Sequence, residues 1–271
     1  MELGVLVLME QTDMEESIRK VAEYGFGYCQ LCCWNMELYT EETAQSVLDA
    51  CEKYRVKIST FWAGWSGPKV WNPYEGPDTL GIVPLPYREQ RMKELKQGSD
   101  FAKRLGVDKV ATHVGFIPET PAAESYRQLV EALKEIVGYC RENGQCFLFE
   151  TGQETPATLL RTIEEIGLDN VGINLDPSNL ITYGKGNPVD ALYVFGQYVM
   201  DVHAKDGVYP TTGKKNGTQM PIGQGMVNFP ALVRGLKERG YDGTLIIERE
   251  IRGEQQIKDI LAAKEYLEKL I

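Results

Sequence analysis

Basic residues are scarce in this sequence: 29 Lys and Arg face 39 Asp and Glu, leaving a net charge of −10, and the cations nowhere gather into a dense run. A field of that sign repels phosphodiester backbones, so nucleic acid is excluded as an expected partner. Long apolar stretches are missing too. None reaches the roughly 20 residues that cross a bilayer, and the opening MELGVLVLMEQTD has no basic leader, long apolar stretch and small-residue cleavage site. The expectation is a soluble, unexported, cytoplasmic protein with no membrane partner. Glycine is absent from LMEQTDMEES, the segment after the first apolar run, where an open dinucleotide-binding sheet would carry its phosphate turn. No linker, low-complexity tract or charge block divides the chain, so residues 1–271 are read as one domain.

Cysteine is present but dispersed. Six in a chain of this length do not make the disulfide framework of a small secreted domain, and four lie in apolar runs that read as strands. Reduced, buried thiols are expected. Cys29 and Cys32 form a CxxC, yet strand residues three apart point to opposite faces, which favours packing over redox chemistry.

What the chain does contain is a regular alternation of strand-like runs and helix-period segments. Strands are expected near 3–8, 28–33, 56–62, 108–113, 145–150, 170–175, 198–203 and 244–248. Helices are expected near 13–24, 40–54, 87–105, 123–143, 155–166, 187–196, 228–239 and 254–270. Thr40 stands before a Glu-Glu pair, Pro156 and Pro188 fall in first turns, and Gly144 follows a last turn, as helix boundaries require. Strict alternation implies a parallel sheet with right-handed crossovers, and eight units in about 250 residues is the size at which such a sheet closes. The fold expected is a single (β/α)8 TIM barrel of the α/β class.

Two connections, residues 63–86 and 204–227, exceed simple turns. Both follow a strand, so in a barrel they rise as long βα loops 3 and 7 over the active-site face. Trp65, Trp71 and Tyr74 in the first offer flat surfaces that stack on the apolar faces of a sugar ring; the alternative is that they form the loop's own small core.

The last four strands each end in an acid or an imidazole: FLFET in Glu150, GINLDPSN in Asp176, DVHAKD in His203 and LIIERE in Glu248. Adjacent strands of a closed barrel bring such ends to one point. Three carboxylates crowded there repel one another, and a divalent cation relieves the repulsion. Oxygen donors with one imidazole suit Mn2+, Mg2+ or Co2+ over a thiolate-preferring ion, with Zn2+ also admitted. One ion is expected, Mn2+ being the first choice.

These residues resemble the xylose isomerase-like TIM barrel superfamily of sugar isomerases, epimerases and inosose dehydratases. The resemblance covers essentially the whole chain and is most specific in NLDPSN, DVHAKD, PIGQG and IERE. It implies that Glu150, Asp176, His203 and Glu248 hold the metal, with Glu150 and Glu248 doubling as the acid and base on opposite sides of the substrate. It also implies substrate contacts from His113, in the THVG that ends the fourth strand, and from Lys205. Ketose epimerases of the superfamily usually carry a histidine three residues after the aspartate, where it helps hold substrate oxygens; Asn179 stands in that place here. Related DNA repair endonucleases need several histidines for a zinc cluster, and His113 and His203 are the two available.

The expected function is a metal-dependent isomerase or epimerase that acts on a keto sugar, with glutamate moving a proton through an enediolate stabilised by the bound ion. The alternatives are a lyase or dehydratase on a keto sugar, 3-keto glycoside or inosose, and a noncatalytic sugar-binding subunit. Lys205 shares a face with His203 two residues away, or else pairs with Asp206 at the surface. Tyr183, Lys214 and Lys215 are further loop residues placed to meet substrate or solvent. Hydrophobic lid loops invite self-association into a homo-oligomer.

Overall fold

The structure is a computed structural model that describes residues 1–10 and 13–271; the segment after the first strand therefore includes Gln11 and Thr12, which lie outside the described residues. Eight parallel strands close into a barrel: β1 (Glu2–Leu8), β2 (Tyr28–Cys33), β3 (Lys57–Ala63), β4 (Lys109–Thr112), β5 (Cys146–Glu150), β6 (Val171–Leu175), β7 (Val199–Ala204) and β10 (Thr244–Ile247), which pairs back onto β1. Helices α1 (Met14–Glu23), α2 (Glu41–Tyr54), α4 (Leu85–Arg104), α5 (Glu124–Glu142), α6 (Pro156–Ile166), α8 (Pro188–Phe195), α9 (Phe229–Glu238) and α10 (Glu254–Leu267) alternate with them. This is the (β/α)8 TIM barrel expected, with boundaries that differ by at most three residues.

Local chemistry explains the helix starts. Asp13, Thr40, Thr155, Asn187 and Asn228 each accept a backbone N–H from the first turn of the helix that follows, satisfying donors that have no intrahelical partner. Pro156 and Pro188 occupy first turns, where a missing N–H costs nothing. Gly144, with φ of 74°, follows the end of α5.

Strand parity sorts the side chains. On β5, Phe147 and Phe149 pack into the large core between sheet and helices, while Leu148 joins Cys32, Trp62 and Ala111 inside the barrel. Cys29 belongs to the outer core and Cys32 to the interior, as three-residue spacing on a strand demands. Burial pushes both thiols well up, and every cysteine is free.

Besides the short 3-10 turns Met36–Leu38 and Gly196–Tyr198, three connections among the described residues carry further elements. The connection after β3 contains the short helix α3 (Gly76–Thr79). That after β6 begins with α7 (Pro177–Thr182). That after β7 folds into an antiparallel hairpin of β8 (Asp206–Val208) and β9 (Thr218–Met220). All three stand at the carboxyl ends of barrel strands.

Candidate metal centre

At that end the barrel opens into a cavity of about 830 Å³. Glu150, Asp176, His203 and Glu248 converge in it, each offering one ligand atom, and these atoms all lie within 4.8 Å of one another. Glu150 stands two residues beyond the inward-facing Leu148. Asp176 caps α7 by accepting the Asn179 N–H (2.8 Å), and its backbone is held on both sides by Thr151 Oγ1. Glu248 extends the ladder by one bond, from its N–H to Ala204 O (3.1 Å).

His203 Nδ1 faces the carboxylates, 3.1 Å from Glu248 Oε2, 3.2 Å from Glu150 Oε1 and 3.8 Å from Asp176 Oδ2. His203 Nδ1, Asp176 Oδ2 and Glu248 Oε2 are buried and make no hydrogen bond. Lys205 reaches the two oxygens only as an ion pair, at 3.4 and 3.2 Å. Glu150, Asp176 and Glu248 gather around one ammonium that Glu250 also shares, so carboxylates outnumber cations in a buried cluster, where charge without a partner is costly. Burial works against ionising Glu150, yet His113, His203 and Lys205 hold its carboxyl well below the ordinary value. Burial likewise opposes protonation of His203, but Glu150 and Glu248 carry the imidazole well above its usual value. The first shift registers the positive groups gathered around Glu150, and the second the carboxylates gathered around Nδ1. Orphaned donor atoms, mixed oxygen and nitrogen chemistry and residual charge fit one divalent cation.

The other expected residues divide. His113 Nε2 lies 3.4 Å from Glu150 Oε1, and Asn179 Nδ2 donates to the same oxygen at 3.3 Å. Both line the cavity, as do Tyr183 and Trp71. Lys205 is buried, and its partners are Glu250 (2.9 Å), Glu248 and Asp176. Burial opposes its charge, but these acids raise its pKa well above the ordinary value. Asp206 is not among them; it accepts the backbone N–H groups of Gly207, Gly223, Gly225 and Val227 instead. Trp65 corrects an expectation. It is fully buried, lies off the cavity wall and stacks against the Arg91 guanidinium (4.1 Å). Tyr74, Lys214 and Lys215 are exposed and line no part of the cavity.

Sequence reasoning passed over several wall residues. All four tryptophans form one cluster: Trp34 lies 4.8 Å from Trp62, 5.3 Å from Trp65 and 6.3 Å from Trp71, and Trp71 lies 5.2 Å from His113. Trp62 Nε1 donates to Glu150 Oε2. Inward parity on β3 could have found Trp62; nothing local marks Trp34. The two long loops meet above, where Asn216 Nδ2 donates to Trp71 O (3.1 Å). Gly81, at φ of 66°, lets the first loop lie on β4's end: a Cβ there would stand 1.9 Å from Val114 O.

A family profile described as xylose isomerase-like TIM barrel matches residues 18–270. The crystal structure of a xylose isomerase domain protein from Planctomyces limnophilus superimposes with a TM-score of 0.93 at 33% identity, over 99% of this chain and 96% of that one. An uncharacterized protein of Methanocaldococcus jannaschii is 28% identical, over 99% of this chain and 90% of its own length. An inosose dehydratase of Lacticaseibacillus casei is 26% identical over 146 residues, 47% of this chain and 48% of the dehydratase. With the barrel, the strand-end constellation and a profile match over nearly its whole length, the chain belongs to the xylose isomerase-like TIM barrel family.

Proposed function

We propose that this protein is a divalent-metal-dependent isomerase or epimerase of a keto sugar, with Glu150, Asp176, His203 and Glu248 as metal ligands and Glu150 and Glu248 as the proton-transferring groups. The observation that carries the reading is the set of buried ligand atoms left without hydrogen bonds at the meeting of four strand ends. A bound Mn2+, with Mg2+, Co2+ or Zn2+ as substitutes, would polarise the substrate carbonyl and acidify the neighbouring C–H.

The chain's own groups divide the remaining work. Glu150, held ionised by the cations around it, takes the proton from carbon, and Trp62, His113 and Asn179 fix its two oxygens. Glu248 stands across His203 and beside Lys205, so it supplies the second proton position. Return of the proton to the other face of the same carbon gives epimerisation; return to the adjacent carbon gives isomerisation. Trp34 and Trp71 present flat apolar surface to a sugar ring, while Tyr183 and Lys205 face its hydroxyls. Asn179 stands where ketose epimerases usually place a histidine, and here it braces Glu150 as well as facing substrate.

One observation favours a second reading. The likeness to an inosose dehydratase, confined to about half the chain, supports a lyase in which the same proton removal is followed by expulsion of a β leaving group. Products separate the two. The Mn2+-loaded protein is to be incubated in deuterated water with keto sugars, 3-keto glycosides and inososes. Deuterium gained at one carbon with the skeleton intact is the expected result; loss of water or an aglycone selects the lyase. No exchange on any of them would reject proton-transfer catalysis and leave a sugar-binding role, and exchange undiminished in Glu150→Gln would remove Glu150 as the base.

A further inference from the structure

Beneath the metal centre the barrel interior holds a polar network that no catalytic role explains. Asp201 lies on β7 two residues before His203, on the same inward face, and is fully buried. Its carboxylate accepts from Gln30 Nε2 (3.2 Å), Ser59 Oγ (2.9 Å), Thr60 Oγ1 (2.6 Å), Thr244 Oγ1 (2.5 Å) and its neighbour's backbone, Val202 N (2.9 Å). A strand cannot ordinarily aim two adjacent side chains at one atom. Ser59 and Thr60 do so because the β2–β3 register slips there, Cys29 pairing with Ile58 and Leu31 with Phe61. The β6–β7 register slips beside Asp201 itself, with Ile173 opposite Val199 and Asn174 opposite Asp201. Bulges re-aim side chains at a cost in regular pairing, and both of these serve one carboxylate.

We infer that Gln30 is a positioning residue for the metal centre: anchored by Asp201, it fixes the His203 ring so that Nδ1 is the atom offered to the cation. The inference rests on the metal-dependent reading above. A carboxylate can only accept, so the Gln30 amide must turn its NH2 toward Asp201; the second N–H is taken by Asn174 Oδ1 at 3.2 Å. The Gln30 carbonyl then faces His203 Nε2 at 2.7 Å. A carbonyl also only accepts, so Nε2 carries a proton, and the lone pair of the neutral ring is on Nδ1 among Glu150, Asp176 and Glu248. Partners of this kind set the tautomer and orientation of a ligating imidazole, and losing one typically weakens metal affinity about 10- to 100-fold.

The test uses the full-length protein labelled with 15N-histidine, as wild type, Gln30→Met and Gln30→Asn. Wild type is expected to show a solvent-protected Nε2–H on His203, and to bind Mn2+ when free ion is followed by electron paramagnetic resonance. Gln30→Met and Gln30→Asn should lose the protected proton and bind Mn2+ roughly 10- to 100-fold more weakly. Unchanged Mn2+ affinity once the proton is lost would overturn the inference, as would failure of both Gln30→Met and Gln30→Asn to fold, which would make the network structural. A wild type that shows the protected proton but takes up no Mn2+ would sink the metal reading itself, and the inference with it.

Discussion

Lys205 shows how much one side chain's environment depends on the far end of the chain. Neighbouring strand residues point to opposite faces, so Lys205, with the parity of His203, turns inward, while Asp206 leaves to organise a turn. The ammonium is a built-in, partial counter-charge for Asp176 and Glu248. Lys205→Met should therefore move two quantities in opposite directions. The metal-free protein loses about 3–5 kcal/mol of stability, because buried carboxylates lose a partner. Mn2+ binds more tightly, because a like charge has gone from beside its ligands. Urea unfolding and Mn2+ titration of the same preparation check both, and weakened Mn2+ binding would show that Lys205 holds the ligands in place instead of competing with the ion.

At the scale of elements, the ligand identities were legible because the runs that lead to Glu150, Asp176, His203 and Glu248 are mostly apolar, and each of the four stands at or just past the end of its strand. The connections were not. The hairpin β8–β9 and the turn after it are held by Asp206, whose oxygens take N–H groups from Gly207 (2.8 Å), Gly223 (2.9 Å), Gly225 (3.0 Å) and Val227 (3.0 Å). Only glycine fits at 225, where a Cβ would stand 2.1 Å from Asp206 Oδ1, and this accounts for PIGQG. Asp206→Asn puts an NH2 against donors and should cost about 2–4 kcal/mol, measured by chemical denaturation; a cost within error of zero would mean the turn holds itself. The first long loop is clamped in a comparable way. Arg91 on α4 donates to the carbonyls of Ser66, Pro68, Thr79 and Gly81 while stacking on Trp65. That clamp is why Trp65 serves the loop and Trp71, 39% exposed, faces the cavity.

For the molecule as a whole, Glu154 couples stability to pH. Its side chain is buried with Oε1 unpartnered, and desolvation raises its carboxyl from 4.5 to about 8. Between those values the unfolded chain has released the proton that the folded chain retains. The contribution is thus fully present below about pH 4.5 and is lost as pH rises toward about 8. Glu154→Gln removes this dependence. The variant should match wild type near the lower limit and exceed it at pH 8 by an amount on the order of a few kcal/mol. Urea midpoints at pH 5 and pH 8 decide it; parallel shifts in both proteins would mean that another group carries the slope.

The sequence by itself determined the barrel, the parity of each strand and the four residues that meet at its mouth. Periodicity, capping residues and strand-end acids are all set by near neighbours in the chain, so they can be read one segment at a time. Closure of the sheet decided the rest: that Gln30 of β2 lies against His203 of β7, that Trp62 of β3 reaches Glu150 of β5, and that Lys205 answers to Glu250. Those partners stand 173, 88 and 45 residues apart. Nothing in the local pattern of either member encodes which side chain it meets across the barrel axis, because that choice is made by the curvature and register of the whole sheet.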